Sequence, residues 1–207
     1  MLNNLRTRWS SPTDQLSLAT LIVMAGVIVF ADCHPAWAAA HYFHPAKDAL
    51  WKGLLAQLVH FNTLHASLNL AGLLTVSTAA GFIGKIQRVV LALITSGIAV
   101  GIGLQQASPP IAWYIGLSGA LYGAWVWLSL ELAAHRLASP VLKGLAGLAA
   151  VAIGCKAAAG FATPAMLGAM PIAYQAHLYG YAGGLVFFAA CLCTRLYCKR
   201  CTRPRKA

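Results

Sequence analysis

At 207 residues, of which 59% are hydrophobic and only 9% charged, the chain is too apolar for a soluble globular protein and has the balance of one dissolved in lipid. A formal net charge of +11 raises nucleic acid as a partner, but the basic residues sit in short clusters between and beyond apolar runs. That placement argues for lipid headgroups and topology and against nucleic acid.

A spanning helix needs about 20 mostly apolar residues, so the length allows five to seven in one bundle. The first apolar run is Leu16 to Ala31, preceded by Arg6 and Arg8. Ala36-Trp37-Ala38 beyond it loosely resembles a signal-peptidase site, so a cleaved signal peptide competes with a retained first anchor. Asp32-Cys33-His34-Pro35 intervenes, which favours the anchor. The stretch from Asp32 to Lys52 is too mixed to cross a bilayer and reads as an ordered interfacial loop. Further spans are expected from Gly53 to Gly81, Ile86 to Leu104, Leu117 to Ala134, Val141 to Phe161 and Tyr174 to Thr194. Breaks fall at Gly84-Lys85, Ser108-Pro109-Pro110, Thr163-Pro164 and Met170-Pro171.

The expected organisation is a cytoplasmic N-terminal segment over residues 1–15, a six-helix all-α membrane domain over 16–194 and a basic cytoplasmic tail over 195–207. Arg6, Arg8, Lys85, Arg88, Arg136, Lys143 and the tail from Arg195 to Lys206 then share one face, cytoplasmic by the positive-inside rule. Lys47 and Lys52 lie opposite, and Lys156 is an ammonium within the fifth span that snorkels or faces the bundle. Cys155, Cys191 and Cys193 lie in or beside apolar runs and imply no disulfide framework. Cys198-Lys-Arg-Cys201 has metal or redox spacing but lacks a second pair, and reads as bystander thiols.

Polar residues inside spans are costly, so each is a functional candidate. His65 and Asn69 lie four apart and stack on one helix face, with His60 five residues earlier. A metal site competes here, but the five-residue step between the histidines misses the helical i, i+4 spacing and no span supplies a carboxylate partner. Gly116-Leu117-Ser118-Gly119 places a serine at a helix start, where unpaired backbone N–H groups can stabilise an oxyanion. A small-residue packing patch with a capping serine is the structural alternative. His177 shares a face with Gly180 and Gly184, a face able to press against another helix. If that neighbour carries Ser118, His177 can act as its general base; otherwise it is a core histidine satisfied by a hydroxyl. The chain holds four acids, Asp14, Asp32, Asp48 and Glu131, none placed near the outer mouth of the spans that carry Ser118 and His177. A dyad is therefore implied, with Tyr122 one turn below Ser118 able to orient the imidazole by stacking.

Taken in order from Trp51 to Gly184, these segments resemble the rhomboid intramembrane serine proteases. Trp51-Lys52, His60, His65 and Asn69 match the family's Trp-Arg, His, His and Asn spacing, with lysine standing for arginine. Gly116-Leu117-Ser118-Gly119 matches the nucleophile motif, Tyr122 the stacking tyrosine, and His177 with Gly180 and Gly184 the catalytic histidine and its glycines. The resemblance implies Ser118 as nucleophile, His177 as general base, an oxyanion held by the Ser118 N–H with His65 and Asn69, and His60 as a loop anchor. It further implies a loop after the fifth span that gates substrate access and membrane-anchored proteins as substrates. No cofactor and no metal are expected. Trp113-Tyr114-Ile115-Gly116-Leu117-Ser118-Gly119 resembles the rhombosortase branch, although Tyr122-Gly123 stands where that branch has His-Gly. Members of that branch are thought to process Gram-negative surface proteins ending in a Gly-Gly motif, an apolar helix and basic residues. That implies a bacterial inner membrane and an active site open to the periplasm. An inert client-binding relative and a small histidine-lined transporter are the rival readings, the latter disfavoured by the lack of an internal repeat and of acids near the histidines.

Overall fold

The computed structural model describes residues 11–160, 166–167, 170–171 and 173–201. Among these are eight helices: α1 Pro12–Cys33, α2 Pro35–Ala40, α3 Leu50–Ala56, α4 Thr63–Phe82, α5 Gln87–Gln105, α6 Ser118–Ala133, α7 Pro140–Ala159 and α8 Tyr174–Cys201. Two short antiparallel strands, β1 Met166–Leu167 and β2 Met170–Pro171, pair between α7 and α8.

Local chemistry sets several helix starts. Ser11 and Ser139 accept from the N–H groups of Asp14 and Leu142, each followed by a proline whose missing N–H costs nothing in a first turn. Asn62 accepts from the His65 N–H at 2.8 Å and so begins α4. This cap changes the expected second span: the stretch from Gly53 to Gly81 is not one helix but α3, an irregular turn, and α4. His60 consequently sits in the turn before α4 and is free to reach sideways.

By length and composition, α1, α5, α7 and the Tyr174–Cys198 part of α8 can each cross a bilayer. They carry much of their apolar surface outward, as at Leu16, Ile22 and Val23 on α1 and Val141, Leu148 and Val151 on α7. Helix α6 is different. It packs against α4, α5, α7 and α8, and Ala120, Leu121, Ala124, Val126, Trp127 and Leu128 are buried around its circumference, the pattern of a central helix. The chain is an α-helical integral membrane protein built around α6, the two-residue strands being its only sheet among the described residues.

Lipid tails are as apolar as leucine, so close packing has to hold such a bundle together. Between α6 and α8 glycines do this: a Cβ on Gly180 would overlap the Gly119 carbonyl, and one on Gly184 would overlap the Gly123 carbonyl. At one end of α6, the fully buried Glu131 meets Lys85, Arg88 and Arg195. Ser118 begins the other end, thirteen residues and about 20 Å away along the axis. Arg6, Arg8 and the tail beyond Cys201, expected on the basic side, lie outside the described residues.

Candidate active site

The site is assembled from the turn that precedes α6. Phe43 and Tyr114 exchange backbone hydrogen bonds of 3.1 and 2.8 Å, tying this turn to the first long loop. The Gly116 N–H donates to the Ala56 carbonyl at 3.0 Å, and the Tyr114 hydroxyl donates to the Gly116 carbonyl at 2.7 Å. Burial pushes the Tyr114 phenol up, which keeps its proton in place as that donor. The Leu117 N–H donates to His60 Nε2 at 3.4 Å, so the imidazole displaced from α4 is anchored to the residue before the serine.

Gly116 has φ +108, and a Cβ there would lie 2.6 Å from the His65 ring. Only glycine satisfies both demands, a left-handed backbone and an imidazole packed on the bare Cα. The tight turn delivers Ser118 to the first position of α6, where backbone N–H groups have no intrahelical acceptor.

Across the glycine contact with α8, His177 Nε2 lies 3.0 Å from Ser118 Oγ. The Tyr122 ring stacks on His177 with centroids 4.2 Å apart and planes 6° from parallel. His65 and Asn69 are both buried on α4; the Asn69 amide donates to the His65 carbonyl at 2.8 Å, and the His65 ring meets His60 edge-on at 4.9 Å. Ser118, His177, His65, Asn69 and Tyr122 line one cavity of about 340 Å³. Lys156 of α7 lines it too, as do the apolar Leu68, Ile115, Leu121 and Trp125.

Not every residue singled out in the sequence comes to this cavity. Trp51 projects from α3 largely into the surroundings, and Lys52 bonds Asp48 at 3.2 Å. The loop after α7, expected as a gate, falls largely outside the described residues. Conversely, sequence reasoning passed over Tyr114 as a brace and Gly123 as half of the α6–α8 contact. The signal for Gly123 was present, since Gly119-x-x-x-Gly123 has the spacing of Gly180-x-x-x-Gly184. Tyr114 carries no such pattern.

A bundle of membrane-type helices that brings a hydroxyl and an imidazole together at a cavity lined by both apolar and polar side chains is the class of protein these observations define. The Rhomboid domain family matches residues 47–194, about seven tenths of the chain, and the protein belongs to the rhomboid family, which is of intramembrane protease type. No curated protein matches the chain.

Proposed function

We propose that this protein is an intramembrane serine endopeptidase working through a Ser118-His177 dyad within six membrane spans. The single observation that carries this reading is the 3.0 Å approach of Ser118 Oγ to His177 Nε2 inside a cavity. Ser118 Oγ attacks the scissile carbonyl carbon as its proton passes to His177 Nε2. The carbonyl oxygen takes the negative charge and is held by the Ser118 N–H with the His65 and Asn69 side chains. Collapse of the tetrahedral intermediate breaks the C–N bond, and His177 returns the proton to the leaving amine. Water then attacks the acyl-serine by the same proton path in reverse, which frees the acid and restores the hydroxyl.

Substrates are membrane-anchored proteins. Helices α4 and α7 both line the cavity without packing substantially on each other, so a substrate helix approaches from lipid between them. The Trp113-to-Gly119 phrase supports a rhombosortase-like substrate, a C-terminal Gly-Gly motif followed by an apolar helix and a basic end. The basic cluster around Glu131 supports a cytoplasmic assignment for that end, and hence an active site open to the periplasm of a bacterial inner membrane.

A fluorophosphonate probe tests the chemistry. Labelling of the full chain in lipid that disappears in Ser118→Ala and in His177→Ala is the expected result. No labelling of folded wild-type protein would overturn the reading.

A further inference from the structure

Lys156 lies on α7 three residues before the helix ends at Ala159, and its side chain lines the same cavity as Ser118 and His177. An ammonium is costly at the centre of a membrane helix but tolerated near its end where water reaches it, and Lys156 is exposed in the last turn of α7. Among the described residues Lys156 makes no ion pair with the protein.

None of the chain's four acids lines its cavity. Asp14 bonds Ser11, Asp48 holds Lys52, Glu131 is surrounded by three cations, and Asp32 lines a separate cavity with Ala31, Pro35 and His60. The catalytic cavity therefore carries one cation with no fixed counter-charge. Its other polar lining groups, His65, Asn69, Ser118, Tyr122 and His177, supply no formal anion while the imidazoles are neutral.

We infer that Lys156 is a specificity-determining residue that binds a carboxylate side chain of the substrate close to the scissile bond. This rests on the protease reading above and adds the chemistry of the substrate. A peptide carbonyl brought to Ser118 places neighbouring side chains within the same cavity, and a carboxylate there meets the unpaired ammonium as the helix leaves lipid. The ion pair forms only with bound substrate, so the lysine acts on selection among substrates.

The test uses full-length protein in liposomes and a set of fluorogenic transmembrane peptides that carry Asp, Asn or Lys at each position flanking the cleaved bond. Wild-type protein is expected to show a kcat/KM about two- to five-fold higher for Asp than for Asn at one position, the strength of an exposed pair. Lys156→Gln brings that ratio close to one, Lys156→Arg keeps it, and Lys156→Glu shifts the preference to Lys. Fluorophosphonate labelling of Ser118 in each variant shows that the fold and the dyad are intact.

An Asp preference identical in wild type and Lys156→Gln overturns the inference, as does the absence of any acidic preference in wild type. A uniform loss across all peptides that tracks the content of anionic lipid also overturns it, because Lys156 would then bind headgroup phosphate. If no peptide is cleaved and Ser118 is not labelled in wild type, the protease reading itself has failed.

Discussion

Tyr122 lies flat against His177, its ring 4.2 Å away and tilted by only 6°. In the triads of soluble serine proteases an aspartate orients the base; here no carboxylate lines the cavity, and ring stacking holds the imidazole plane in position for Ser118. The contact is geometric, so the hydroxyl of Tyr122 is dispensable and the ring is not. Tyr122→Phe is expected to keep kcat within about three-fold, whereas Tyr122→Ala lowers kcat by about 100-fold, the scale of a small misplacement of a catalytic group. Both variants should show nearly unchanged KM in a steady-state cleavage assay. Equal losses in the two would assign the role to the hydroxyl.

Gly116 and Gly180 are replaceable by alanine at very different kinds of cost. At Gly116 the backbone stands at φ +108 and the bare Cα touches His65, so Gly116→Ala strains the turn and pushes the His65 imidazole aside. Cleavage should fall at least about 100-fold, with about 1–3 kcal/mol lost in stability. At Gly180 the new methyl would meet the Gly119 carbonyl and force α6 and α8 apart. That variant should lose both stability and the Ser118–His177 approach, read as a lower unfolding midpoint together with lost fluorophosphonate labelling. Wild-type midpoints and labelling in Gly180→Ala would show that the two helices can part without penalty.

Much of this arrangement could be read from the chain because its parts are local. His65 and Asn69 share a face at one helical step, Ser118 stands between two glycines at a helix start, and His177 precedes glycines spaced for close packing. The rest depended on contacts between residues remote in sequence. Lys85 and Arg195 are 46 and 64 positions from Glu131, and no periodicity relates them. The apolar run containing Lys156 showed that a charge was present, but which way α7 turned it depended on packing against α6 and α8. The break between α3 and α4 hid for a different reason. The Asn62 cap is one hydrogen bond within an apolar stretch that satisfies the composition of a continuous span.

The first long loop carries its own acid sensitivity. The His44 backbone N–H donates to Asp48 at 2.7 Å and holds that carboxyl below its usual range, with the Lys52 ammonium contributing further. A carboxyl whose folded value is depressed stabilises the folded state above its unfolded value, near pH 3.9, and this contribution disappears as the pH falls through the folded value. Asp48→Asn should therefore lower the unfolding midpoint at pH 7. The gap from wild type should narrow steadily below about pH 4. A gap that stays constant down to pH 2 would mean that Asp48 acts by shape and not by charge.

Glu131 presents the opposite case, a carboxylate with no exposure at all, tied to Lys85 ahead of α5, Arg88 on α5 and Arg195 on α8. Three cations for one anion leave an excess of positive charge at this end of the bundle, tolerable because the cations themselves are one-fifth to one-third exposed. Removing the anion leaves them facing one another around a buried gap, and breaking a buried pair in this way costs about 3 kcal/mol. Glu131→Gln nearly preserves volume and should lower the unfolding midpoint without changing the kcat of the folded fraction, because Ser118 stands at the far end of α6. Lys85→Met in the Glu131→Gln background should restore part of the loss by removing one of the uncompensated cations. If the double variant is less stable than Glu131→Gln by the full cost of Lys85→Met alone, then the carboxylate and that ammonium are not coupled, and the basic end of the bundle is held by helix packing alone.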